Sequence, residues 1–232
     1  LAEESRLALL GVSLVSLAAQ HRPDAARFVI LDASPPESSH RAFLEQLGGG
    51  IPHDTRLLGP ADVQPALSEL AAELERRTAT DAAGPGLFLF IHQISRFKNL
   101  RYEDDFSVSL NSTAPSPGQQ LNRLLTEGPP LGIHVLASCD TFNNAIRCFS
   151  RKTLSEFELR LLFQMSAADS ASLIDNPKAA TLGLHRALLY NAQAGSLETF
   201  RPYALPDHHW IDQTIRQRAR LASSTPPPPP VG

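Results

Sequence analysis

The chain has 232 residues, 42% of them hydrophobic and 19% charged, with a net charge of −3. These values describe a globular chain of one large or two small domains with room for a sizeable core. They exclude a chain-wide basic footprint, so any nucleic-acid contact must rest on a local patch or on assembly. The two cysteines, Cys139 and Cys148, are too few for a disulfide framework and are not at zinc-binding spacing; they read as reduced thiols of a cytoplasmic protein.

The chain opens on Leu1 and enters helical sequence almost at once, as a fragment of something longer would. Ala2 to His21 reads as a helix apolar on nearly every side and therefore covered all round. Its apolar part is too short to span a membrane, and the preceding Glu3 and Glu4 are the wrong sign for a signal peptide. Arg27 to Asp32 reads as a first strand ending on a carboxylate, and Glu37 to Leu47 as a helix stopped by Gly48-Gly49-Gly50. That glycine run lacks Lys and follows no strand directly, so it is no phosphate loop. Thr55 to Leu58 reads as a short strand, and Ala61 to Arg77 as a helix with Leu67, Leu70, Ala71 and Leu74 on one face.

Leu87 to His92 is the run the chain is organised around. It is short, rich in Phe and Ile, entered through Gly84-Pro85-Gly86, and reads as a strand buried on both faces of a parallel sheet. Ligand crevices in such sheets open at the carboxyl ends of the strands, which places His92 and Gln93 at the expected site. Ser95 to Gly118 is a long polar loop that carries Arg96, Lys98 and Arg101 and then an acidic turn, Glu103-Asp104-Asp105. No His or further carboxylate stands at ligand spacing from that turn, so no metal site is expected. Gln119 to Thr126 reads as a helix and Gly132 to Ser138 as a buried strand. His134 is a core histidine of that strand, and Asp140 stands just past its carboxyl end.

Glu158 to Met165 reads as a strand of the same sheet, so that Phe28–Leu31, Leu87–Ile91, Val135–Ala137 and Leu161–Phe163 are expected as neighbouring strands. Ala167–Ile174 and Pro177–Leu182 read as short helices, Arg186–Tyr190 and Leu197–Arg201 as an antiparallel pair, and Asp207–Ala222 as a polar helix. Residues 1–206 form the expected domain. Residues 207–232 add the helix and a polyproline tail, Pro226 to Pro230, which is a stiff linker or a groove ligand. Alternating helices and strands closed by a hairpin define an α/β domain.

Several of these stretches together resemble the motor domain of the FtsK/SpoIIIE family of P-loop ATPases, which pump double-stranded DNA and include the EccC-type ATPases of type VII secretion. The matching stretches are Arg27–Asp32, Leu131-Gly-Ile-His-Val-Leu-Ala-Ser138, and the run from Leu159 to Asp175 followed by Leu182-Gly183 and Arg186-Ala-Leu-Leu-Tyr190. The resemblance covers about Ala2 to Pro206. It implies a RecA-like three-layer sandwich with a mainly parallel central sheet and a C-terminal hairpin, ATP and Mg²⁺ as cofactors, and self-association in a ring or beside a tandem ATPase module. It also implies double-stranded DNA or a secreted polypeptide as the substrate.

The family's Gly-Lys-Ser/Thr loop belongs just before the first helix, and the sequence given begins at that helix. The acidic pair that the family carries after its central strand falls on His92 and Gln93, and its polar Gln falls on Asp140. A neutral imidazole and an amide cannot hold Mg²⁺ or activate water as carboxylates do, so the nucleotide pocket of Asp32, His92, Gln93 and Asp140 is expected to be degenerate and the chain not to hydrolyse ATP. On this reading either ATP or no cofactor at all is bound. The alternatives are a DNA translocase with Arg96, Lys98 and Arg101 as phosphate contacts of a pore loop, and an inactive scaffold or regulatory module of an EccC-like motor. Arg160, set among Leu159, Leu161 and Leu162, is expected to face a neighbouring subunit or a phosphate, or else to pair with Glu156, Glu158 or Asp169.

Overall fold

Strands β1 (Ala26–Asp32), β2 (Asp54–Leu58), β3 (Gly86–His92) and β4 (Ile133–Ala137) pair in parallel in the order β2-β1-β3-β4. The computed structural model describes residues 2–80, 84–102 and 115–224. The two inner strands, β1 and β3, are the near-continuous apolar runs, and all their residues but Arg27 and Gly86 are buried.

Side chains alternate between the two faces of the sheet, and each face has its own core. Val29, Leu31, Leu87, Leu89 and Ile91 pack on helices α3 (Val63–Thr80) and α4 (Pro117–Glu127). Phe28, Ile30, Phe88 and Phe90 pack on α1 (Ala2–Gln20), α2 (Ser39–Gly50) and Ile211 of the C-terminal helix α8 (His208–Ser224). Helices on both faces of a parallel sheet make the three-layer α/β arrangement. No helix among the described residues is long and apolar enough to cross a membrane.

Beyond β4, α5 (Phe142–Cys148) and α6 (Arg151–Ser155) lead into a second sheet, in which β5 (Leu159–Leu162), β6 (Ala187–Asn191) and β7 (Ser196–Phe200) are antiparallel. The expected hairpin is there. The expectation that Leu161–Phe163 joins the parallel sheet is corrected, because β5 pairs with β6 instead. Among the described residues only one face of β5 is covered: Leu162 is 2% exposed, whereas Leu159 and Leu161 are 61% and 45% exposed. The inner face packs with Leu188 on α7 (Ala167–Ile174) and on Ala179 and Leu182.

Two helix expectations change as well. Leu7, Leu10, Leu14 and Ala18 of α1 face the core, but Leu9, Val12, Val15 and Leu17 are only half-buried, so the helix is not covered all round. Gly48-Gly49-Gly50 does not stop α2, which runs through it. A Cβ on Gly50 would stand 1.9 Å from Cδ1 of Ile215, so glycine there lets α8 approach α2.

Candidate functional site

The parallel register sets Asp32, the last residue of β1, opposite His92, the last of β3. Both are 1% exposed. His92 Nδ1 lies 2.9 Å from Asp32 Oδ1, and the hydroxyl of Ser34 donates to the same oxygen at 2.8 Å, with the Ser34 amide at 3.2 Å. Arg41, in the first turn of α2 beyond its Ser38 cap, brings Nη1 to 3.9 Å from Asp32 Oδ2. Burial pushes the Asp32 pKa up, but the hydrogen bonds from His92 and Ser34 outweigh it and the carboxyl titrates below its ordinary value. The contact with Asp32 occupies His92 Nδ1, and the other ring nitrogen, Nε2, is buried without a hydrogen-bond partner among the described residues.

Gln93 follows in the left-handed region at φ 52°, a conformation costing about 1–2 kcal/mol for a residue with a Cβ. The end of β4 holds it there: Gln93 N donates to Ser138 Oγ at 2.9 Å and Ile94 N to Ser138 O at 2.9 Å. The turn aims the Gln93 side chain at α1, where Nε2 donates to Glu3 Oε1. Arg96 Nη2 reaches the same oxygen at 3.3 Å, and His40 Nδ1 stands 3.4 Å from it. Burial raises the Glu3 pKa, but the Gln93 hydrogen bond and the charges of His40, Arg96 and His92 outweigh it, and the carboxyl ends below its ordinary value. The His40 ring meets that of His92 edge-on, with centroids 6.0 Å apart.

Asp32, His92 and Gln93 therefore lie in one cluster with Glu3, Ser34, His40, Arg41 and Arg96. Asp140 is engaged elsewhere. It accepts from Asn144 Nδ2 at 2.9 and 3.1 Å and from Thr141 N at 3.0 Å, at the start of α5. Burial acts to raise its pKa, but hydrogen bonds from Asn144 and Ser95 leave it lowered. Burial also pushes the neighbouring Cys139 thiol up to about 12, which leaves no thiolate at neutral pH.

Arg96, Lys98 and Arg101 are exposed on two consecutive 3₁₀ turns, Ile94–Arg96 and Lys98–Leu100, pinned into the core by Phe97 and Leu100. The acidic turn, Glu103 to Asp105, lies outside the described residues. The guanidinium of Arg160 donates to the carbonyls of Phe157 at 2.9 Å, Leu154 at 2.9 Å and Leu173, and lies over the Tyr190 ring. Its hydrogen bonds among the described residues go to backbone rather than to Glu156, Glu158 or Asp169.

No group of three His, Cys, Asp or Glu among the described residues is placed to hold a metal ion. Asp32 is a poor Mg²⁺ ligand as it stands, because one oxygen is committed to His92 and Ser34 and the other is buried facing Arg41. The sequence contains no Gly-Lys-Ser/Thr run to wrap phosphates.

No family model and none of the curated proteins matches the chain. Solved structures do. ATPases 2 and 3 of EssC from Geobacillus thermodenitrificans superpose with a TM-score of 0.62 at 14% identity, over 95% of this chain and 42% of that one. ATPases 2 and 3 of Thermomonospora curvata EccC, in complex with a signal sequence peptide, give 0.60 at 17% identity over 94% and 40%. The genome packaging NTPase B204 of Sulfolobus turreted icosahedral virus 2, in complex with AMPPCP, gives 0.58 at 11% over 87% and 94%. The chain thus spans less than half of each secretion ATPase chain and nearly all of the viral one. The fold is that of P-loop ATPase domains, the fold that the FtsK/SpoIIIE resemblance implies.

Proposed function

We propose that this chain is an ATPase-like module of the FtsK/SpoIIIE and EccC kind that does not itself hydrolyse ATP and serves as a scaffold or regulatory partner of an active motor. One observation carries the reading. The carboxylate at the end of β1 and the side chain at the end of β3 are sealed against each other as Asp32–His92, with Arg41 against the second oxygen, so neither is free to hold Mg²⁺. Phosphoryl transfer depends on positioned charge, and a site whose strand-end groups neutralise one another has little with which to accelerate it. The AMPPCP complex of the viral NTPase supports nucleotide as the ligand class of the fold.

The test is ATP turnover by the purified protein at millimolar Mg²⁺, with Asp140→Asn as control. No turnover is expected. Turnover of about 1 s⁻¹ or faster that vanishes in the control would assign catalysis to Asp140 and end the inactive reading.

A second reading, a DNA translocase, is favoured by the exposure of Arg96, Lys98 and Arg101 on ordered turns beside the site. Phosphate contacts of that kind make binding fall steeply with salt. Duplex binding that is unchanged when all three become Ala would remove this reading. Assembly in a ring or with a tandem module, with Arg160 at the subunit boundary, belongs to the same proposal, as does a cytoplasmic setting for the free thiols.

A further inference from the structure

The Glu3 carboxylate stands where polar side chains from three separate elements converge, two of them donating to it and the third, His40, 3.4 Å from it. Gln93 comes from the end of β3, Arg96 from the 3₁₀ turn after it, and His40 from the start of α2. Nothing about α1 needs this convergence, since Leu7, Leu10, Leu14 and Ala18 already fix the helix on the sheet. The Gln93 backbone is held in a left-handed conformation by Ser138, so its side chain is aimed rather than left to sample. Behind these side chains lies His92, 1% exposed, with Nε2 unpartnered among the described residues. A carboxylate and a phosphoryl group present the same kind of anionic oxygens to a guanidinium and an amide.

We propose that Gln93, Arg96 and His40, backed by His92, form a receptor for one phosphoryl group of a bound ligand, and that Glu3 is a tethered anion that occupies this receptor in the ligand-free protein and must leave for the ligand to enter. The inference rests on the reading of the chain as an ATPase-like module only for the choice of phosphoryl as the ligand chemistry, and it requires no hydrolysis. It accounts for the side chain at the carboxyl end of β3 being an amide. Gln93 can donate to an anion, which a carboxylate there could not do. A ligand competing with Glu3 exchanges one anion for another, so its apparent affinity is reduced by the fraction of protein in which Glu3 is docked.

The experiment is calorimetric titration of inorganic pyrophosphate into the purified protein at low salt, without Mg²⁺, for the wild-type chain, Glu3→Ala, Glu3→Gln and Glu3→Ala/Arg96→Ala. Removing the tethered anion should tighten pyrophosphate binding about tenfold in Glu3→Ala, with a smaller gain in Glu3→Gln, whose amide still reaches Arg96. The gain should disappear in the double variant. Equal or weaker binding by Glu3→Ala overturns the proposal, as does the absence of binding in all variants or a gain that survives loss of Arg96. Should Glu3→Ala fail to fold, Glu3→Gln decides by the same criterion. Succinate titrated in parallel separates the ligand classes, and a larger gain for succinate than for pyrophosphate overturns the phosphoryl assignment. ATP turnover found alongside would end the inactive-module reading and leave the pyrophosphate result standing on its own.

Discussion

Arg77 is among the largest fully buried side chains, at 1% exposure, and its guanidinium bridges three parts of the chain. It donates to Glu73 at 2.8 Å, to the Leu131 carbonyl at 2.7 Å and to the Pro85 carbonyl at 2.7 Å, tying α3 to the entrances of β3 and β4. Replacing it with Met keeps the volume and strands two carbonyls, so Arg77→Met should lose roughly 3 kcal/mol of unfolding free energy, measured by urea denaturation. The same cluster sets part of the acid limb. Hydrogen bonding from Arg76, opposed by burial and reinforced by Arg77, pulls the Glu73 pKa down from 4.5 to about 2. The native carboxyl is thus ionised where the unfolded one takes a proton. Its contribution is complete above about pH 4.5 and is lost as pH falls from there towards about 2. Glu73→Gln should flatten the fall of stability with acid across that window, and an unchanged slope would show that Glu73 is not its source. The candidate site was legible at this scale only in part. Asp32, His92 and Gln93 stand at strand ends and are visible as such in sequence. That Asp32 bonds His92 depends on the β1–β3 register, and Glu3 and His40 arrive from helices 90 and about 50 residues away in the chain, with no local signal to announce them.

Among the elements, α8 approaches α2 over a glycine that a side chain would obstruct. Ile211 is 1% exposed in the core beside α2, Gln46 donates to Asp212 at 2.8 Å, and Ile215 occupies the space that a side chain on Gly50 would fill. Gly50→Val should therefore push α8 away from α2 and lose about 1–3 kcal/mol, as overpacking does. Trp210, the one tryptophan of the sequence, lies on α8 and is 43% exposed, so its emission should shift to the red and its quenching by iodide should rise. Adding Ile215→Ala should reverse both changes, and a shift that persists in the double variant would place the strain elsewhere. The sequence misleads at this same point, because three consecutive glycines read as a helix stop, whereas the last of them, Gly50, provides close approach between helices far apart in the chain. The error over β5 has a similar origin. Leu159, Leu161 and Leu162 make a run apolar on both faces, like β1 and β3, yet two of the three face outward. Apolarity marks what can be buried, and strand partnership decides what is. For β1 and β3 the two agree, and for that reason the centre of the parallel sheet was readable from the sequence, whereas the edge strand β4 is buried only at Ile133.

For the whole molecule, burial is shared unequally between the two sheets. The parallel sheet is closed by an extensive core on each face, whereas the cluster under the antiparallel sheet has five buried members, Leu162, Ile174, Ala179, Leu182 and Leu188. Amides of β1 and β3 should consequently exchange only through global unfolding, and those of β5, β6 and β7 through a smaller, local opening. Arg160 is the group that most directly clamps that second unit, since its guanidinium joins the carbonyls of Leu154 and Phe157, before β5, to that of Leu173 at the end of α7. Those charged hydrogen bonds are partly exposed, so Arg160→Ala should lower the opening free energy of β5–β7 by about 1–3 kcal/mol while β1 and β3 keep theirs. Native-state hydrogen exchange, read strand by strand, measures both quantities. Equal exchange free energies in the two sheets of the wild-type chain would show one cooperative unit instead of two. The Arg160→Ala variant separates the two roles of the residue: a weakened second sheet with self-association intact identifies a clamp within the chain, and an unchanged second sheet with self-association lost identifies the subunit contact of the proposed assembly.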